Sequence, residues 1–254
     1  AALVLWLLGH PDRALSSLRE SLAFAETRPH PFGLAVGQIF AAMLHQLRRE
    51  TAAVRQWAEA AIATSTEHGF VMFSARSTML KGWALSEQGE PELGVADLIR
   101  GLAADRATGA ELLRPYFLGL LAEAEATAGR IEEAIDSVSA AIDSARTSGE
   151  RWWEPELLRL KGALLLRRSG TAETTIVGEA EAYLQEALAL AGRRSMKSLE
   201  LRAATALARL WREHGKPEEA RALLLPVYEW FGEGLSTPDL VDARALLSTL
   251  AVSA

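Results

Sequence analysis

Apolar residues along this chain recur three and four positions apart, and roughly every twenty residues glycine, proline or a short polar run breaks the pattern. That period predicts amphipathic helices joined by tight turns. The turn signals fall at Gly9-His10-Pro11, Arg49-Glu50-Thr51, Gly89-Glu90-Pro91, Gly129-Arg130-Ile131, Ser169-Gly170 and Gly215-Lys216-Pro217. The anchors 9, 49, 89 and 129 are 40 residues apart; Gly170 comes one late, and extra residues in the polar stretch Thr171–Gly178 delay Gly215. A second set of breaks, at Pro29-His30-Pro31, His68-Gly69, Thr108-Gly109, Ser148-Gly149 and Gly192-Arg193, separates the repeats.

Aligning the windows brings small residues into register. Seven positions before each turn stand Ala2, Ala42, Gly82, Ala122, Ala163 and Ala208. Five after it stand Ala14, Val54, Gly94, Ala134, Ala180 and Ala220, and further on come Ser21, Ala61, Gly101, Ala141, Ala187 and Val227. Leu18, Ala58, Leu98, Val138, Leu184 and Leu224 lie between. Small side chains at these places let two antiparallel helices approach closely. Proline at 11, 91 and 217 suits a first helical turn, and acids such as Glu132, Glu133, Glu218 and Glu219 suit its dipole. The expected repeats are about 1–30, 31–69, 70–109, 110–149, 150–196 and 197–236, closed by a capping helix over 238–252 with Leu240, Ala243, Leu246, Leu247 and Leu250 on one face.

These small and turn residues resemble the tetratricopeptide (TPR) motif, here in a long variety of about 40 residues rather than about 34. The resemblance implies an all-α, right-handed superhelical solenoid of antiparallel helix pairs, forming a single repeat domain. Residues from Arg151-Trp152-Trp153-Glu154 through Lys197–Ala204 and Val227–Phe231 to Thr237–Leu240 are similar to the C-terminal repeat region of bacterial adenylate cyclase-like and transcriptional-regulator-like ATPases. That similarity implies a regulatory, cytoplasmic fragment of a larger signalling protein. The opening run Ala1–Leu8 reads as the middle of a helix, in keeping with a fragment.

Composition narrows the chemistry. Of 254 residues 46 are alanine, the best helix former, and none is cysteine, which removes thiol catalysis and zinc–thiolate sites. The net charge of −6 divides evenly, with 11 basic and 14 acidic residues in 1–127 and 16 and 19 in 128–254, so a nucleic-acid surface is not expected. Phe32–Leu47 is the most apolar stretch, yet Gln38 and His45 interrupt it, so no membrane span is expected. There is no phosphate-binding glycine loop, no nucleophile elbow, and no pair of histidines at metal-binding spacing. Neither a cofactor nor catalysis is expected of this chain.

Recognition is. In TPR-like arrays the first helix of each pair lines the concave face. The expected inward residues are Met43, Trp83, Glu123, Leu164 and Arg209, flanked by Arg76, Tyr116, Leu157 and Arg202 on one side and by Gln46, Arg167 and Arg212 on the other. The stripe Met43, Arg76, Trp83, Tyr116, Glu123, Arg167, Arg202, Arg209 and Arg212 runs from apolar and aromatic to basic. Such a groove suits a protein or peptide segment, or another part of the parent chain, with apolar residues at one end and carboxylates at the other. The same residues also fit a plain core and a solvated basic face, and the same concavity fits a small effector molecule.

Overall fold

The computed structural model describes residues 1–27, 30–169 and 174–252. Among them are thirteen helices and no strand: α1 (Ala2–Leu7), α2 (Pro11–Thr27), α3 (Pro31–Leu47), α4 (Thr51–Glu67), α5 (Val71–Glu87), α6 (Pro91–Ala107), α7 (Arg114–Thr127), α8 (Ile131–Ser148), α9 (Glu154–Ser169), α10 (Thr174–Arg193), α11 (Lys197–Glu213), α12 (Pro217–Glu229) and α13 (Pro238–Val252). The second helices α2, α4, α6 and α8 start at 11, 51, 91 and 131, so the 40-residue period of the sequence is a period of the structure. The expected break at Pro29, the anchor Gly170 and the start of the polar insertion, Thr171 to Glu173, lie outside the described residues.

The turns work through one left-handed residue. After α5, Gly89 takes φ 91° and lets the Glu90 N–H donate to the Leu85 carbonyl at 3.0 Å. After α3 the same bond, Glu50 N–H to the His45 carbonyl at 2.9 Å, is made with Arg49 at φ 59° in place of glycine.

The chain divides into two compact units. The first contains Arg13–Glu150 with Ala1–Leu3, and the second contains Arg151–Ala254 with Val4–Asp12. In the first unit, α5 and α6 cross where Gly82 faces Gly94. A Cβ on Gly94 would lie 2.5 Å from the Gly82 carbonyl oxygen, and one on Gly82 would lie 2.7 Å from the Gly94 oxygen. Around this crossing Leu80, Ala84 and Leu98 are fully buried. In the second unit Leu201, Ala204, Ala208, Ala220, Leu224, Phe231, Leu240, Ala243 and Leu246 form one core, which places the capping helix α13 against α11 and α12.

The close contact between α9 and α10 corrects the expected register by one residue. Gly162, not Ala163, is the small residue there, its Cβ position 3.0 Å from the Ala180 carbonyl oxygen. Counting 40 from Gly129 reaches Ser169, seven beyond Gly162; anchoring on the more turn-like Gly170 displaces every assignment in this repeat.

At the α5–α6 crossing a side chain meets rigid backbone. Gly94→Leu is therefore expected to cost about 2–3 kcal/mol. Gly178 lies exposed in α10 with open space around its Cβ, so Gly178→Ala should gain about 0.5–1 kcal/mol. Urea midpoints of the two variants against the parent chain check both signs.

Candidate functional site

The first helices α3, α5 and α7 pack on one another in the first unit, and α9 packs on α11 in the second. With the corrected register, equivalent positions fall into rows. One row is Arg76, Tyr116, Glu156 and Arg202. A second is Met43, Trp83, Glu123, Ala163 and Arg209, and a third is Gln46, Ser86, Ala126, Leu166 and Arg212.

In the first unit this face is largely sealed. Met43, Trp83, Tyr116 and Arg76 are all buried. Their polar ends pair with one another's neighbours. The Trp83 indole N–H donates to Glu123 Oε2 at 2.7 Å, joining successive repeats, and the Tyr116 hydroxyl donates to Gln46 Oε1 at 2.9 Å, reaching two repeats back. Arg76 donates through Nε to Asp105 Oδ1 at 2.9 Å and through Nη2 to the Leu112 carbonyl at 3.0 Å. Burial raises the Asp105 carboxyl even against the pull of Arg76. Of the expected stripe in this unit, only Glu123 keeps partial exposure.

In the second unit the basic residues part company. Arg202 has a side chain only 9% exposed. Its Nε donates to Asp239 Oδ2 at 2.8 Å and its Nη1 to Glu156 Oε1 at 3.2 Å. Arg159 completes the cluster, its Nη2 donating to Glu156 Oε1 at 2.8 Å. Burial would push the Glu156 carboxyl up, but the Arg159 and Arg202 guanidiniums outweigh it and hold it at about 2. Arg209 and Arg212 are different. Arg209 is 49% exposed and stands 3.9 Å from Asp242, and Arg212 is exposed with Nη1 at 3.2 Å from the Thr249 hydroxyl. Arg167 is exposed too, one position off the row that holds Leu166 and Arg212. Sequence reasoning missed Glu156; the signal was its place 40 residues after Tyr116, hidden by the one-residue slip.

Two further features bear on binding. A cavity of about 390 Å³ in the first unit lies among α4, α5 and α6, lined by Ser65, Ser74, Thr78 and Arg100, and the buried Ser65 hydroxyl has no hydrogen-bond partner. On α7, Glu125 is buried with Oε2 unpartnered. Burial raises its carboxyl, Ser137 partly offsets this, and Glu133 and Asp136 add to the rise. Among the described residues no group of three acids or histidines is placed to hold a metal ion, and no helix is long and apolar enough to cross a membrane.

These carboxylates predict opposite pH effects. Glu156 has a folded value of about 2 against an ordinary 4.5, so its contribution is complete above pH 4.5 and disappears as pH falls towards 2. Glu156→Gln should lose about 3 kcal/mol at pH 7, with the deficit shrinking towards pH 2. Glu125 is raised, so the folded chain gains relative stability as that group protonates, and Glu125→Gln should be more stable than the parent at pH 7. Urea titrations at a series of pH values read both slopes.

No family model matches the chain. An uncharacterized protein of Rhizobium meliloti strain 1021 is 27% identical over 205 residues, covering 78% of this chain, and the match spans about a fifth of that protein's length. Among solved structures, NprR in complex with its cognate peptide NprX superimposes with a TM-score of 0.68 at 14% identity, over 99% of this chain and 69% of that one. A Rap protein complexed with competence and sporulation factor gives 0.66 at 11%, over 99% and 73%. TPR-like repeats of a kinesin light chain from Podosopora anserina give 0.53 at 18%, over 87% and 98%. The chain has the helical fold of TPR-like repeat proteins.

Proposed function

We propose that this chain is a recognition and regulatory module that binds a polypeptide segment, either of a partner or of the parent protein, through the face of its first helices. The observation that carries the reading is the contrast between Arg202, spent on Glu156 and Asp239, and the exposed Arg209 and Arg212 beside it on α11. A buried arginine fixes the scaffold, while two exposed guanidiniums one turn apart on it offer forked donors to carboxylates. The likeness in fold to NprR and a Rap protein, each solved with a bound peptide or factor, supports the same reading. On this proposal the module belongs to a larger cytoplasmic signalling protein, a reading that the resemblance of its residues to repeat regions of bacterial regulator-like ATPases supports. It works by binding rather than by catalysis.

The cavity among α4, α5 and α6, where Thr78 and Arg100 stand among apolar residues such as Val71, Ala75 and Ala104, supports a second reading, an effector-sensing module for a small molecule. The Thr78 hydroxyl would supply one contact and the Arg100 guanidinium another.

Selection of 12-residue peptides on the immobilised chain separates the two. The recognition reading expects enrichment of segments combining Asp or Glu with apolar residues. It expects the Arg209→Glu, Arg212→Glu double variant to bind the selected peptide at least about tenfold more weakly at an unchanged melting temperature. Equal affinity in the variant would overturn the role of these arginines. The second reading instead expects a small compound to raise the melting temperature of the chain and not of its Thr78→Val variant.

A further inference from the structure

The cavity among α4, α5 and α6 is a peculiarity of one repeat. Its α5 wall is Val71, Ser74, Ala75 and Thr78, a single helix face about 11 Å long, and Arg100, Gly101 and Ala104 of α6 stand opposite. The 40-residue period supplies an internal comparison. Counting 40 back and 40 forward, Ser74 corresponds to Leu34 and Arg114, and Thr78 to Gln38 and Leu118. Gln38 and Leu118 are buried, whereas Thr78 keeps partial exposure. At Gly101 the neighbouring repeats also hold small residues, Ala61 and Ala141. The helix crossing therefore asks for small residues in every repeat, but only this repeat shortens both side chains beside it. Close packing alone gives no reason for that void.

The same repeat sets a cation on the rim. Arg100 has Ala60 and Ala140 as its counterparts. Its side chain is 64% exposed and donates through Nη2 to Asp97 Oδ1. Lys81 holds the other oxygen of Asp97, with Nζ 2.9 Å from Oδ2. Two cations thus share one carboxylate, so Arg100 can turn to an incoming anion without stranding Asp97. The start of α5 adds to the positive field, since its first turn holds no acid and no side chain caps it. Among the described residues that line the cavity none is acidic. The Thr78 hydroxyl donates to the Ser74 carbonyl at 2.8 Å, which leaves it able to accept a hydrogen bond and leaves an anion to Arg100. The volume, about 390 Å³, falls near the lower end of the range for small-molecule pockets, roughly 300–1,000 Å³.

We infer that this cavity binds a small organic acid, with its carboxylate on Arg100 and its hydrocarbon body against Val71, Ala75 and Ala104. The inference rests on the effector-sensing reading above and names its ligand class. One guanidinium beside an apolar lining suits a singly charged carboxylate rather than a phosphate, whose second charge would go unpaired. Because α5 packs on α3 and α7, a ligand held between α5 and α6 stabilises the first unit by mass action.

The test titrates the full chain with octanoate and phenylacetate, each beside its neutral counterpart, octanol or phenylethanol, by calorimetry and by amide chemical shifts. At least one acid should bind saturably, at least about tenfold more tightly than its alcohol, with the largest shifts at residues 71–78 and 100–104. Arg100→Gln should bring the acid down to the affinity of the alcohol and leave the alcohol unchanged. Thr78→Leu, which installs the residue of the following repeat, should abolish binding of both without lowering the melting temperature. The inference is overturned by acids that bind no more tightly than their alcohols, by an Arg100→Gln chain that binds them as the parent does, or by no saturable binding. Should Thr78→Leu fail to fold, the Arg100→Gln comparison decides. Alcohol binding that matches the acid and disappears in Thr78→Val would leave the effector reading standing while removing the carboxylate. Arg209→Glu and Arg212→Glu report on peptide recognition separately.

Discussion

Where Gly82 meets Gly94, two helix backbones lie so close that a methyl group on either would overlap the carbonyl of the other. A long side chain at this point would push α5 and α6 apart, and α3 and α7, which pack on α5, would lose their places. Dispersion contacts decay steeply with separation, so close approach at a few small residues lets Leu80, Leu98 and their neighbours fill the space around the crossing. The rows of side chains on α3, α5 and α7, and those on α9 and α11, inherit their alignment from these crossings.

That dependence explains what could be read in advance. The 40-residue spacing, the helix pairs and the capping helix were legible because close packing of helices demands small residues at fixed intervals, and Ala42, Gly82, Ala122 and Ala208 announce them. The register of the fifth repeat was not, because Ser169 marks the turn less strongly than Gly170 does, and only the contact of Gly162 with Ala180 settles it. The fate of the arginines was also hidden. Periodicity puts Arg202 and Arg209 on one helix, but whether a guanidinium is buried depends on partners 37 and 46 positions away, at Asp239 and Glu156. The contact of Trp6 with α11, where the Ser198 hydroxyl donates to the Trp6 carbonyl, has no periodic signature at all, since it joins residues 192 apart.

The polar groups of the sealed face serve specificity more than stability. A buried ion pair recovers little beyond what desolvation takes from it, but removing one member leaves a charge stranded. Arg76 with Asp105 is such a pair, and the hydrogen bonds of Trp83 to Glu123 and of Tyr116 to Gln46 add to it: a slip of one repeat would leave several of these groups without partners. In a chain built of look-alike windows that protection has particular value.

The placement of Trp6 also sets an order in time. A ribosome adds about 5–20 residues per second, so a residue waits roughly 10–40 s for a partner 192 positions downstream. Throughout that interval Trp6 and the leucines around it are already made, with Ser198, Phe231 and Leu240 still to come. The segment synthesised first in this pairing is thus seated last, and the Trp6 indole stays without its partners until α11 and α13 close beneath it.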